Sequence, residues 1–124
     1  IPEAEILTGI KINNLADMKT AGKKIIDLGA NFVVLKGGHM NKPILSDILI
    51  GEEVLDQIET KKIETNNTHG TGCTMASALT AGLAKSLGIK EAFQKAHFYV
   101  NQAIITSPRF GNGHGPINHS FNIN

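Results

Sequence analysis

Apolar side chains return at three- and four-residue intervals from Asn14 to Gly29, at Leu15, Met18, Ala21, Ile25 and Leu28, which is the spacing of one helical face. Asn14 is placed to cap that helix and Gly29 to stop it. The run Phe32-Val33-Val34-Leu35 that follows is short, uninterrupted and largely β-branched. It predicts a strand covered on both faces, as in a parallel sheet, and it leads into Lys36-Gly37-Gly38-His39. Between Ile44 and Thr65 the pattern breaks into Ile44 to Ile50, Val54 to Ile58 and Lys61 to Thr65, set apart by Gly51-Glu52-Glu53 and Glu59-Thr60. Three short antiparallel strands are predicted there. Asp47 stands inside the first, where a carboxylate costs free energy unless it has a partner or lies at an edge.

Beyond Asn67-Thr68-His69-Gly70-Thr71-Gly72 comes a proline-free stretch from Cys73 to Leu87, dense in Ala, Ser and Leu. Small residues on nearly every side predict a tightly packed, largely buried helix. After Gly88 a second helix is predicted, with Ile89, Phe93, Ala96, Val100 and Ile104 on one face and Pro108 as its end. Gly111-Asn112-Gly113-His114-Gly115-Pro116 has the composition of a loop. Neither a repeat nor a linker separates these segments, so residues 1–124 are expected to form one domain or part of one, with a three-layer α/β architecture.

Charge narrows the function classes. Twelve basic residues against eleven acidic ones leave a net charge of +1, with no basic block of the kind that neutralises nucleic acid or an acidic membrane surface. No apolar run approaches the roughly 20 residues that span a bilayer, and no signal-like layout opens the chain; a cytoplasmic location is expected. The single cysteine, Cys73, has no internal disulfide partner. The chain opens on Ile1-Pro2-Glu3 and not on methionine, which points to a fragment, a processed chain or a trimmed one.

Gly70 and Gly72, set among small polar residues just ahead of a helix, place backbone N–H groups near its positive dipole end, an arrangement suited to phosphate. The spacing is neither that of a Walker loop nor that of the dinucleotide fingerprint, and a tight structural turn accounts for it equally well. Cys73 falls where the first helical turn should start, beside the dipole and amides that favour an anion. A base there could face a phosphate acceptor; a buried packing cysteine is the plain alternative. A nucleophile pair of His69 and Cys73 is disfavoured, because Gly70 and Gly72 interrupt the continuous helix that would turn them toward one another.

The string Asn67-Thr68-His69-Gly70-Thr71-Gly72-Cys73-Thr74 resembles the anion-hole motif of the hydroxymethylpyrimidine/phosphomethylpyrimidine kinases, ribokinase-like enzymes of thiamin biosynthesis. Cysteine stands there where most ribokinase-like enzymes carry aspartate. Three more segments resemble the same family in order and spacing: Pro2-Glu3-Ala4-Glu5 with Leu7-Thr8-Gly9, Val34-Leu35-Lys36-Gly37-Gly38-His39, and Gly113-His114-Gly115-Pro116-Ile117-Asn118-His119. The resemblance implies the C-terminal portion of a ribokinase-like three-layer α/β/α fold. It also implies ATP-dependent phosphorylation of hydroxymethylpyrimidine and its monophosphate.

On this resemblance Cys73 is the general base, and Gly70, Thr71 and Gly72 form the anion hole. Lys36, Gly37, Gly38, His39 and Asp47 belong to the ATP side, and Glu3 acts on Mg²⁺ through water. ATP and Mg²⁺ are the implied cofactors. The family's glycine-rich N-terminal segment, its pyrimidine-recognising side chain and further metal-site acids have no counterpart here, so the chain is expected to be inactive alone. Pyridoxal kinase, or a non-catalytic nucleotide-binding fragment, is the alternative. The apolar strand from Phe32 to Leu35 then needs a cover, and a homo-oligomer or another association through the exposed sheet edge is expected.

Overall fold

In the computed structural model, which describes all residues but His39, Asn41 and Asn124, the chain divides into two units, Ile1–Lys62 and Ile63–Asn124. The first holds helices α1 (Pro2–Thr8) and α2 (Leu15–Asp27) and strands β1 (Val33–Leu35), β2 (Ile44–Ile50) and β3 (Val54–Lys61). The second holds helices α3 (Thr71–Ala84) and α4 (Ile89–Ile105). No helix among the described residues is long and apolar enough to cross a membrane.

Helix α2 forms where the spacing placed it. The Asn14 side chain accepts the Asp17 N–H at 3.0 Å, which satisfies one of the amides a helix start leaves open. At the other end Gly29 takes φ 110°, a conformation glycine adopts without penalty. Met18 and Ala21 are fully buried, against Leu35, Ile48 and Ile50 of the sheet and Ala4 and Ile12 beside them. Burying each large aliphatic side chain contributes about 1.5–3 kcal/mol. Gly22, absent from the predicted face, lets the helix sit close: a Cβ there would run into the Ile50 side chain. Leu28, counted as core from spacing, is 65% exposed, because it caps the helix after the buried stripe has turned away.

The sheet corrects two expectations. Strand order is β1-β2-β3 and both pairs are antiparallel, so β1 runs antiparallel to its described partner, where its apolar run predicted a parallel one. It ends the described sheet, and Phe32 beside it is 49% exposed. A continuous apolar run records burial and not strand direction, so only the partner decides. Nor is there a third strand from Lys61 to Thr65. Strand β3 instead runs through the predicted break, with Thr60 opposite Leu45 and Lys61 opposite Ile44. A hairpin partner satisfies the backbone whatever the side chains are.

In the second unit α4 buries Ala92, Phe93, Ala96, Val100 and Ala103: Phe93, Ala96 and Val100 of the predicted stripe are buried, while its end members Ile89 and Ile104 are only half-buried. Helix α3 starts at Thr71, two residues before the predicted start, and stops at Ala84 because Ser86 adopts φ 63°. The Ser86 N–H donates to Leu83 O at 2.9 Å and the Leu87 N–H to Gly82 O at 3.2 Å, the paired closing bonds of a Schellman motif. The expectation that α3 is largely buried fails. Only Thr74 and Met75 are buried, while Ala76, Ser77, Thr80, Ala81, Leu83 and Ala84 are exposed. Small side chains permit close packing on every face but do not supply a neighbour on every face. One close approach is made at Gly82, where a Cβ would stand 3.0 Å from Ala92 Cβ.

Candidate functional site

Gly70 is the N-cap of α3 and takes φ 85°, a left-handed turn that suits glycine and lets the loop enter the helix sharply. The first amide to reach a helical acceptor is that of Thr74, on Gly70 O at 2.9 Å. The Thr71 N–H is drawn back to Thr68 O at 3.3 Å. The amides of Gly72 and Cys73 lie in the first turn, upstream of that bond, where a helix leaves its donors open and its dipole is positive. Cys73, third residue of α3, is exposed. A packing cysteine would be buried, so this thiol is available for chemistry.

The loop ahead of the helix is braced by the tail of the same unit. The His69 N–H donates to Gly115 O at 3.3 Å, and His69 and Pro116 form a parallel bridge. His114 Nδ1 lies 3.3 Å from Asn66 O, and buried Asn67 donates from Nδ2 to Ser107 Oγ at 3.2 Å. Two motifs far apart in sequence, Asn67 to Cys73 and Gly113 to His119, are thereby one structural piece. Asn67 and Ser107 carried no assignment from sequence. The signal for Asn67 was its place at the head of the segment that leads into the glycine loop; for Ser107 there was none. No hydrogen bond joins His69 to Cys73 among the described residues, so the nucleophile pair is not formed.

In the first unit the structure brings Glu3, Lys36, Gly37 and Asp47 together. Strand register sets Leu35 opposite Ile48, and one step further along lie Lys36 and Asp47. Asp47 Oδ1 accepts the Gly37 N–H at 2.9 Å, the partner a carboxylate inside a strand needs. Gly37 is buried against β2, and a Cβ on it would strike the Ser46 carbonyl oxygen. Gly38 is exposed in a turn closed by the Met40 N–H on Gly37 O at 2.9 Å. His39 lies outside the described residues.

Lys36 is half-buried, and burial holds its ammonium below the ordinary lysine range. The charges of Asp47 and Glu3 act in the opposite direction. A lysine at a strand end with a desolvated head is set to meet an anion. Glu3 itself, on α1, is exposed. Among the described residues no group of three or more His, Cys, Asp or Glu could hold a metal ion. Surface depressions of about 400 and about 500 Å³ open around Tyr99 and Phe121 and around Lys19 and Lys23, and neither is lined by a candidate site residue.

The family described as "Phosphomethylpyrimidine kinase" matches residues 1–118. A hydroxymethylpyrimidine/phosphomethylpyrimidine kinase of Bacillus subtilis is 43% identical over 120 residues, covering 96% of this chain and 44% of the relative. The chain thus spans less than half the length of the curated relative it matches. Among solved structures, an ADP complex of Bacillus subtilis pyridoxal kinase superposes with a TM-score of 0.89 at 38% identity, over 95% of this chain and 46% of that one. Pyridoxal kinase from Staphylococcus aureus in complex with ADP gives a TM-score of 0.91 at 34% identity, over 98% of this chain and 46% of that one. The expected α/β class, as part of a ribokinase-like fold, is borne out by these superpositions.

Proposed function

Since the chain belongs to the phosphomethylpyrimidine kinase family, we propose that it supplies the nucleotide- and phosphoryl-handling part of an ATP-dependent kinase acting on hydroxymethylpyrimidine and its monophosphate. The observation that carries this reading is the exposed Cys73 in the first turn of α3, beside amides that the helix leaves open. In the reaction, Cys73 Sγ takes the proton of the hydroxymethyl O–H as that oxygen attacks the γ-phosphorus of ATP. A new O–P bond forms, the bond to the β-phosphate oxygen breaks, and ADP leaves. The amides of Gly70, Thr71 and Gly72 meet the charge on the transferring phosphoryl oxygens, with that of Cys73 as a further donor. Because Thr71 already donates to Thr68, Gly72 and Cys73 are the freer of these. In phosphoryl transfer such positioning and charge stabilisation supply most of the rate enhancement.

On the nucleotide side Lys36 contacts phosphate, with Gly37, Gly38, His39 and Asp47 around it. Mg²⁺ fits this chain only as it does where nucleotide phosphates and waters provide most ligands and one carboxylate assists; Glu3 is the residue that would assist through water. Bound there, the ion would neutralise phosphate charge. The cytoplasm, where ATP is abundant and a free thiol stays reduced, is the compartment this chemistry fits. Edge strand β1 is the place we assign to association with the remainder of the fold or with a second copy.

A second reading is favoured by the superposition on pyridoxal kinases: the acceptor alcohol is pyridoxal. Fusing the chain behind the part of the Bacillus subtilis kinase that it does not match, then assaying both alcohols with ATP, tests the two readings side by side. Transfer to hydroxymethylpyrimidine is expected, and the unfused chain is expected to be inactive. A folded fusion that phosphorylates neither alcohol removes the kinase reading, and one that prefers pyridoxal replaces the first reading with the second.

A further inference from the structure

We infer that Asp47 is a positioning residue, which ties the Gly37 main chain to β2 and, through that tie and its charge, positions the adjoining Lys36. The inference rests on the nucleotide-side reading given above and assigns Asp47 a part within it. Asp47 sits mid-way along the central strand, opposite Ile58 of β3, and is half-buried. One of its carboxylate oxygens accepts the Gly37 N–H at 2.9 Å, a charge-assisted bond of the stronger kind. Gly37 cannot be replaced by a larger residue without meeting the Ser46 main chain, whose N and C atoms would stand 3.1 and 3.2 Å from a Cβ. The segment from Lys36 to Gly38 is therefore fixed from two sides, by sterics at Ser46 and by the carboxylate at Asp47.

The charge of Asp47 has a second use. Lys36 is penalised by burial, and of the two acids that act on it Asp47 is the stronger. Glu3 on α1 is the weaker and is solvent-exposed. A carboxylate repels nucleotide phosphates, so direct contact with them is a poor use for Asp47. Holding a main-chain turn is the use that its geometry already shows, and its charge acts to keep Lys36 protonated.

The test uses the full chain with Asp47→Asn, Asp47→Ala and, as a control, Glu3→Gln. Amide exchange at Gly37 and the titration of the Lys36 ε-methylene group are followed by NMR, and ADP affinity by calorimetry. In Asp47→Ala the Gly37 amide should exchange at least about tenfold faster. In Asp47→Asn that amide should stay protected, since the side-chain carbonyl still accepts, while Lys36 titrates at lower pH than in the parent chain. Glu3→Gln should move Lys36 less than Asp47→Asn does. An unchanged Lys36 titration in Asp47→Asn overturns the inference, and so does unchanged Gly37 exchange in a folded Asp47→Ala. If Asp47→Ala does not fold, Asp47→Asn decides alone. ADP affinity should fall in Asp47→Asn together with the Lys36 shift; a fall without that shift means direct contact and also overturns it. Absence of ADP binding by the parent chain counts against the nucleotide reading of this chain, and the Gly37 and Lys36 measurements still decide the part played by Asp47.

Discussion

Gly115 packs against Asn67 with no space between them: a Cβ on Gly115 would fall on the Asn67 side-chain oxygen and stand 3.0 Å from the Phe110 carbonyl oxygen. Asn67 opens the loop that leads to Cys73, and its side chain is committed to Ser107. Gly115→Ala should therefore push the tail off the loop. The expected loss is about 1–3 kcal/mol, measured by urea unfolding of the chain, with a parallel fall of phosphoryl transfer in the fused enzyme. A melt within about 0.5 kcal/mol of the parent would show that the brace is not needed.

Cys73 carries the sharpest chemical prediction. General-base assistance is worth about 10²–10⁴-fold, so Cys73→Ala in the fused enzyme should lower kcat by that factor. ADP affinity should hardly change, because the amides of the first turn remain. Cys73→Asp, which restores a proton acceptor at the same helix position, should recover part of the rate. Full activity in Cys73→Ala would falsify the base assignment and leave the amide donors as the catalytic device.

How far the sequence could be read follows from what each residue's partner was. Asn14 capping α2, Gly29 closing it and Phe93, Ala96 and Val100 facing inward are local or periodic facts, and a window of a few residues contains them. The direction of β1, the run of β3 to Lys61 and the exposure of most residues from Ala76 to Ala84 depend on which distant segment lies alongside, and the local pattern is silent on that. The site divides the same way. Gly70 and Cys73 were legible as a loop and a helix start, whereas the bond from Gly37 to Asp47 and the brace of Asn67 by Ser107 join residues with no sequence signal between them.

Ser86 holds φ 63° at the end of α3, the position where glycine is usual because a Cβ is penalised in the left-handed region. Both closing bonds of the motif come from the main chain, so they survive a change of side chain. Ser86→Gly should accordingly stabilise the chain by about 0.5–1 kcal/mol. Glycine also loses more freedom on folding, which holds the gain toward the low end of that range. Thermal unfolding reads it directly, and a destabilised variant would mean that the serine side chain contributes more than its backbone strain costs.

Glu5 gives the fold an acid-sensitive tie. One carboxylate oxygen accepts the N–H of Ile12 at 2.8 Å, and Lys11 approaches at 3.1 Å. The amide bond first and Lys11 second hold the Glu5 carboxyl below its ordinary value of 4.5. Folding thus favours the ionised form, and the unfolded chain binds more protons in the interval between the folded and unfolded values. The stabilisation is complete above the ordinary value, declines as pH falls through the folded one and is gone beneath it. Glu5→Gln keeps the shape and an acceptor but removes the charge. The stability gap between parent and Glu5→Gln should therefore be widest near neutrality and close as pH drops below 4.5. Lys11 is 76% exposed, so solvent screens its share, and Lys11→Ala should shift the gap little. A gap that stays constant from about pH 7 to about pH 3 would mean that the Ile12 amide is held by packing alone, with Glu5 following the turn between α1 and α2 and not fixing it.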